Sequence, residues 1–389
     1  MTLKENLGRR KFLSGTGGAL ALTPMMGLNR IDLPTSMAAA QTTPIIKRKL
    51  GKTDIEIPIV SMGVMNADNP AVIQESYKQG VRLFDTARDY QRGRNEEMLG
   101  RVIRGLNVRS QVYIQTKAHP PLIRPTTAEQ RKTAMLEELD RSLAALQTDY
   151  VDIFLLHAPS NNQRNDSGIR EALSEMKKQK KARYIGFATH DGARADQLDE
   201  AAKEGFFDTI AVSVNFTMAR DTALLNAIRN VANAGIGIVA MKTQAGGRGV
   251  NNTAALKWVL RHQEITTAIP GYANFDHMRE NLSVAYGLDY TDAERKFLSD
   301  GNLQALVRFC LQCENCAPTC PKGVDIPTLM RTHMYAAGYG NFVHARETFD
   351  EIAANVSLEN CADCSDCRAK CANHVKIADN IRDLKAMYL

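Results

Sequence analysis

From about residue 55 the chain alternates short, nearly all-apolar runs with longer stretches in which apolar residues recur three or four apart. The short runs are Ile57–Met62, Val81–Asp85, Val112–Thr116, Val151–Leu156, Tyr184–Ala188, Thr209–Val214, Gly237–Met241 and Thr266–Ile269. Runs apolar throughout suit strands covered on both faces, whereas Ala128–Leu146 and Asp221–Ala234 carry the period of amphipathic helices. Repeated strand–helix units of this kind predict an α/β fold, a closed (β/α)8 TIM barrel, with a doubly wound sheet as the alternative. Arg48–Ile57 predicts a hairpin plugging the barrel floor, and Asp292–Val307 a helix leading out of it.

The ends of the chain read differently. Gly8-Arg9-Arg10-Lys11-Phe12-Leu13-Ser14 precedes a mildly apolar run from Gly17 to Leu28, and Ala38-Ala39-Ala40 follows. This order resembles a twin-arginine export signal, which implies a mature start near Gln41, the twin-arginine translocase as a partner and a periplasmic location. A basic tail on a cytoplasmic protein is the alternative. The expected organisation is therefore a signal peptide over 1–40, a barrel over 41–300 and a separate module over 301–389. Hydrophobic residues make up 44% and charged residues 24%, ordinary for a globular core. The formal charge of +6 is scattered, without the basic patch of a nucleic-acid binder. No run is long enough to span a membrane.

All eight cysteines fall in the last eighty residues, a local metal module rather than a disulfide framework. Cys310, Cys313, Cys316 and Cys320 form C-x2-C-x2-C-x3-C followed by Pro321, and Cys361, Cys364, Cys367 and Cys371 repeat the spacing before Ala372. Three thiolates from one tight loop wrap a face of a cubane, so the pattern points to two [4Fe–4S] clusters. In two-cluster ferredoxins the fourth cysteine of each run crosses to the other cluster. On that pattern Cys371 completes the first cluster and Cys320 the second. Zinc sites more often split into two C-x2-C arms, and disulfides between such near neighbours are geometrically poor. Helical patterns at Thr328–Ala337 and Phe342–Ala354, between the runs, suggest a mainly helical module in which that cross-pairing is less fixed than the ligands.

Catalysis in a parallel barrel belongs at the carboxyl ends of its strands. Those ends offer Asp85, then Tyr90, then Lys117 and His157. Singly, each has a dull explanation: a helix cap, a rim charge, a structural imidazole. Together, in Phe84-Asp85-Thr86-Ala87-Arg88-Asp89-Tyr90, Tyr113-Ile114-Gln115-Thr116-Lys117 and Asp149-Tyr150-Val151-Asp152-Ile153-Phe154-Leu155-Leu156-His157, they resemble the tetrad segments of the aldo–keto reductase family. Leu50-Gly51-Lys52-Thr53, Ile269-Pro270-Gly271 and Glu280-Asn281-Leu282 extend the likeness over roughly residues 47–300. The resemblance implies reversible carbonyl–alcohol interconversion. Tyr90 is then the general acid/base, Lys117 lowers its pKa, Asp85 pairs with Lys117, and His157 donates a hydrogen bond that orients the carbonyl.

The resemblance also places an NAD(P)H cofactor against Thr189, Asn215, Met241, Lys242 and Gly271, with Glu280 and Asn281 facing the adenine. Here the chain departs from the family. Ala188-Thr189 stands for a Ser-Asn pair, Ala211 for a glutamine and Met241 for a stacking aromatic. Gly271 and His277 stand where NADP-selective members place a lysine and an arginine. Gly246–Gly249 does not form the G-x-G-x-x-G of a dinucleotide loop. The expected protein is an oxidoreductase acting on a small-molecule carbonyl or alcohol, with clusters that relay electrons from a redox partner or brace the fold. The alternatives are cluster-fed electron transfer without soluble nicotinamide and a ligand-binding barrel without turnover.

Overall fold

The computed structural model describes residues 43–121, 127–245, 250–301, 310, 315–362, 364, 366–372 and 374–389. The export signal expected over 1–40 therefore lies outside the described residues. A hairpin of β1 (Lys47–Lys49) and β2 (Glu56–Pro58) opens the fold. Eight parallel strands follow: β3 (Met62–Gly63), β4 (Leu83–Asp85), β5 (Tyr113–Ala118), β6 (Val151–His157), β7 (Ala182–Thr189), β8 (Thr209–Ser213), β9 (Gly237–Met241) and β10 (Thr267–Ala268). They pair in chain order, and bridges from Val60 to Ala268 and from Gly63 to Gly271 bring the two edge strands together. The expected (β/α)8 barrel is the fold.

One expected strand divides. Ile57–Met62 does not run as a unit: Glu56–Pro58 pairs antiparallel with Lys47–Lys49, and Met62–Gly63 pairs with β4. The hairpin ladder ends with the Ile59 amide donating to the Ile46 carbonyl at 3.0 Å, and the Ser61 amide then turns to the Ala268 carbonyl of the barrel at 2.8 Å. Leu50, Ile55 and Ile57 of the hairpin then pack inside the barrel with Leu83, Ile153, Leu155, Ala188, Ala211 and Val239. This is the floor plug that the sequence suggested. At the hairpin turn Gly51 has φ +55°, and a Cβ there would collide with the backbone of Gly235–Gly237. Only glycine closes that approach without strain.

Helices line the outside and bury their apolar stripes against the strands. Ala128–Leu146 starts at a capping box of Thr127 and Gln130 and presents Met135, Leu139, Leu143 and Leu146 to the core. The exit helix is shorter than expected. Asp292–Ser299 ends where Asp300 turns extended, and residues 302–309 lie outside the described residues. Among the described residues no helix is long and apolar enough to cross a membrane.

The C-terminal region is helical, with different bounds from those the pattern gave. Ile326–His333 runs into a π-helical turn at Met334–Gly338, Phe342–Asp350 follows an Asn341 cap, and Ile377–Tyr388 closes the chain. Met334, Tyr335, Ala336 and Ala345 pack into the main core of the barrel. A second, smaller core gathers Val324, Leu329, Met330, Leu358, Ile377 and Leu384 with Cys316 and Cys361.

The exit helix is pinned by a buried ion pair. Glu294 Oε2 accepts from Lys257 Nζ at 2.8 Å and from the Thr291 amide at 2.7 Å. Burial alone would raise the Glu294 pKa, but Lys257, Thr253 and the Thr291 amide outweigh it and hold the carboxyl at about 2. A depressed carboxylate stabilises the fold fully above its ordinary pKa, and that contribution fades as pH falls toward the folded value. Glu294→Gln is expected to cost about 2–4 kcal/mol at pH 7, because Lys257 loses its charged partner. Urea unfolding should show this deficit shrinking below about pH 4.5. A pH-independent deficit would assign the loss to packing instead.

Candidate active site

Parallel register sets the strand ends level. Asp85 closes β4, Lys117 lies one residue from the end of β5, His157 closes β6, and Tyr90 stands on a 3-10 turn directly after β4. Lys117, only 2% exposed, donates to Asp85 Oδ1 at 2.9 Å, to Asp85 Oδ2 at 2.8 Å and to the Thr86 carbonyl at 2.8 Å. Gln115 Nε2 holds Asp85 Oδ1 from the side at 2.7 Å. The ammonium also lies 4.8 Å from the centre of the Tyr90 ring, and the Tyr90 and His157 rings meet edge-on at 6.0 Å. The four residues singled out in the sequence thus converge on one place.

Two of their expected electrostatic roles change. The Lys117 bonds run to Asp85 and Thr86, so the expected lowering of the phenol pKa does not appear. Burial, and then the negative charges of Asp85 and Asp89, push Tyr90 well above its ordinary value. Tyr90 is a firmly protonated donor. His157 Nδ1 lies 3.2 Å from Asp89 Oδ1. A carboxylate only accepts, so Nδ1 carries the proton and a neutral ring keeps a lone pair on Nε2. Burial lowers the His157 pKa and Asp89 only partly restores it, so the ring is neutral near pH 7. In that tautomer His157 accepts at Nε2 instead of donating.

Other residues complete the rim. The His119 ring stacks on His157 at 4.3 Å, with Asp89 between their edges. Burial alone would raise the Asp89 carboxyl, but His157 and His119 hold it well below the usual carboxylate range. His119 lies two residues beyond Lys117, the same-face period of a strand, and that spacing was the signal available for it. From the C-terminal region His344 meets the Tyr90 ring at 5.9 Å and the Tyr335 ring at 4.4 Å. Burial lowers the His344 pKa to about 4 and raises that of Tyr335 to about 12. No local signal marks either residue, since only long-range packing brings them here.

This packing is clamped at the loop that carries Tyr90. Arg94 pairs with Glu347 at 2.6 Å and Arg92 with Asp350 at 3.5 Å, while Asn341 Nδ2 donates to the Met65 carbonyl at 3.2 Å. Gln91, Arg92, Ala158 and Lys242 all have φ between +47° and +55°. Left-handed backbone at non-glycine residues is costly and gathers at functional loops.

The expected nicotinamide contacts lie along the far rim and are largely engaged with one another. Thr189 Oγ1 donates to Gln197 at 2.6 Å. Asn215 donates to the Lys242 carbonyl at 3.3 Å, and its Oδ1 accepts from Thr217. Asn281 accepts from Gln244 and donates to the His277 carbonyl, and Glu280 accepts from Asn252. A Cβ at Gly271 would press on the Asn66 side-chain amide. The Thr189 hydroxyl hydrogen is committed to Gln197, while the Asn215 amide, with one N–H on the Lys242 carbonyl, keeps its second N–H for a nicotinamide carboxamide. Met241 closes β9 and Lys242 follows it. Burial lowers the Lys242 ammonium to about 8, against the pull of the nearby Cys310 thiol.

Cys313 lies outside the described residues. Among the others, burial pushes the Cys361 thiol up, and Cys320, Cys364 and Cys367 lie near enough to add to it. Lys370 N donates to Thr319 Oγ1 at 2.9 Å, tying together the stretches that carry Cys371 and Cys320. Cys361 with Cys320, Cys364 and Cys367 nearby is a soft, all-thiolate set of the kind that suits a cubane cluster.

Residues 63–252 match the aldo/keto reductase family, and residues 309–376 match the 4Fe-4S dicluster domain. An uncharacterized oxidoreductase of Bacillus subtilis is 29% identical over 180 residues, which cover 44% of this chain and 56% of the relative. The chain thus spans little more than half of that relative's length. L-galactose dehydrogenase of Arabidopsis thaliana is 23% identical over 302 residues, covering 66% of this chain and 93% of the relative. Among solved structures, an aldo-keto reductase from Bacillus halodurans in its holo form superposes with a TM-score of 0.56 at 21% identity, covering 67% of this chain and 96% of that one. One from Klebsiella pneumoniae in complex with NADP and acetate gives 0.52 at 24% identity, covering 65% and 93%.

Proposed function

We propose that this chain, an oxidoreductase in which an aldo/keto reductase domain is followed by a 4Fe-4S dicluster domain, interconverts a carbonyl and an alcohol at the mouth of its barrel. The convergence of Tyr90, His157 and the Lys117–Asp85 pair carries the reading. Tyr90 hands its proton to the carbonyl oxygen in reduction and takes it back from the alcohol in oxidation, with the His157 ring edge-on beside it. Lys117 and Asp85 fix the floor beneath the phenol. His344 and Tyr335 shield the site from water. A nicotinamide would bring a hydride, and the clusters single electrons.

Cys310, Cys313, Cys316 and Cys371 would hold one cluster, and Cys361, Cys364, Cys367 and Cys320 the other. A second reading, in which the clusters replace soluble nicotinamide as the redox supply, draws on the place of Cys310, near enough to Lys242 and Tyr335 at the rim to act on both. The test is an anaerobic assay of full-length protein on a panel of small aldehydes, ketones and alcohols, with NADH, NADPH or chemically reduced clusters as donor. Turnover with a nicotinamide supports the first reading. Substrate-dependent bleaching and recovery of cluster absorbance without nicotinamide supports the second. Binding without turnover under any donor would overturn both and leave a ligand-binding barrel.

A further inference from the structure

The backbone directly after Tyr90 is one that L-residues adopt at a cost. Gln91 (φ 51°, ψ 38°) and Arg92 (φ 54°, ψ 40°) are both left-handed, and neither is a glycine. Two such residues in a row persist only where their surroundings over-determine them. From the barrel, Gln91 Nε2 reaches the Met65 carbonyl at 3.5 Å, and the Arg92 amide donates to the Asp89 carbonyl at 3.0 Å. A firmer hold comes from the C-terminal region. Arg94 Nε donates to the Gln91 carbonyl at 3.2 Å, while its Nη2 donates to Glu347 Oε1 at 2.6 Å. One guanidinium thus ties the left-handed peptide to the helix Phe342–Asp350.

We propose that Glu347 is a positioning residue, which through Arg94 holds the turn after Tyr90 in its left-handed form and so completes the catalytic site from the C-terminal helix. Exposure ranks the contacts. Arg92 and Asp350, 68% and 35% exposed and 3.5 Å apart, form a pair of the kind that contributes little, and Asp350 is shared with Arg346. The Glu347 side chain is only 12% exposed and its charge-assisted bond is short. Its second oxygen lies 3.9 Å from His344 Nδ1, and the His344 ring meets the Tyr90 ring edge-on, so Glu347 addresses the phenol from two sides. At the start of the same helix Asn341 donates to the Met65 carbonyl and to Asn66 Oδ1, which fixes where the carboxylate stands. The role rests on the carbonyl–alcohol reading, in which a displaced phenol transfers its proton poorly.

Glu347→Gln in full-length, cluster-loaded protein tests the role, with hydrogen exchange of residues 88–95 as a readout that needs no substrate. The expected result is exchange about tenfold faster in that segment and kcat lower by about 10–100-fold. KM should shift only a few-fold, with iron and sulfide unchanged as the control for folding. Arg94→Lys keeps a charge for Glu347 but loses the fork that reaches the Gln91 carbonyl, and should show the same two changes. Glycine adopts the left-handed backbone without strain. Adding Gln91→Gly to Glu347→Gln should therefore restore most of the lost rate, a rescue that general loosening of the helix would not give. Exchange unchanged in Glu347→Gln would overturn the proposal, and so would faster exchange with the parent's kcat. A parent that turns over no carbonyl or alcohol would sink the carbonyl–alcohol reading, and exchange would still decide whether Glu347 holds the turn.

Discussion

Tyr90→Phe is expected to lower kcat by about 10²–10⁴-fold, the range for losing a positioned proton donor. The change removes one oxygen and little else. The ring keeps its place 4.8 Å from the Lys117 ammonium and its edge contacts with His157 and His344. Substrate binding should shift only a few-fold, because the loss falls on the step in which the oxygen gains its proton. The phenol is held well above its ordinary pKa by burial and by Asp85 and Asp89, so the parent should show no loss of reductive rate from Tyr90 ionisation below about pH 10. Tyr335→Phe, which removes a buried hydroxyl from the covering helix, serves as the control and should change kcat far less. Equal kcat in Tyr90→Phe and the parent would end Tyr90's role as the acid.

The barrel was legible because most strands are buried along their length and read as nearly all-apolar runs. The rim tetrad was legible because strand ends have fixed places in such a fold. Less was readable where distance in sequence decides the outcome. Tyr335 and His344 reach Tyr90 only after the C-terminal helices dock, and Arg94–Glu347 is an ion pair across some 250 residues. The sign of the Tyr90 shift was also hidden. Composition shows a lysine near a phenol, but only geometry shows that its N–H bonds go to Asp85 and Thr86. Asp89 stood inside a recognised segment with no role assigned, because its partners His119 and His157 come from the ends of two other strand segments. The run Ile57–Met62 illustrates the smaller misreadings, since its backbone bonds pass from the hairpin at Ile59 to the barrel at Ser61 with no change in apolar pattern to mark the division.

Cys320→Ala should remove the cluster of the other run, not of its own. Burial and the neighbouring Cys320, Cys364 and Cys367 thiols all act on Cys361, which sets residue 320 beside the second run. A crossing ligand links segments some forty residues apart, and so restrains the small core where Cys316 and Cys361 pack with Leu329, Leu358 and Leu384. Such a core buries too little apolar surface to stand well without a staple. Iron and sulfide should therefore fall by about half in Cys320→Ala, and the C-terminal region should become the first target of limited proteolysis. Pairing the change with a second one assigns the partner. Cys320→Ala combined with Cys364→Ala should lose no more iron than Cys364→Ala alone, since both act on one cluster. Cys320→Ala combined with Cys316→Ala should lose nearly all of it. The reverse pattern would place Cys320 in the cluster of its own run, and the crossing would then be wrong even with every ligand correctly named.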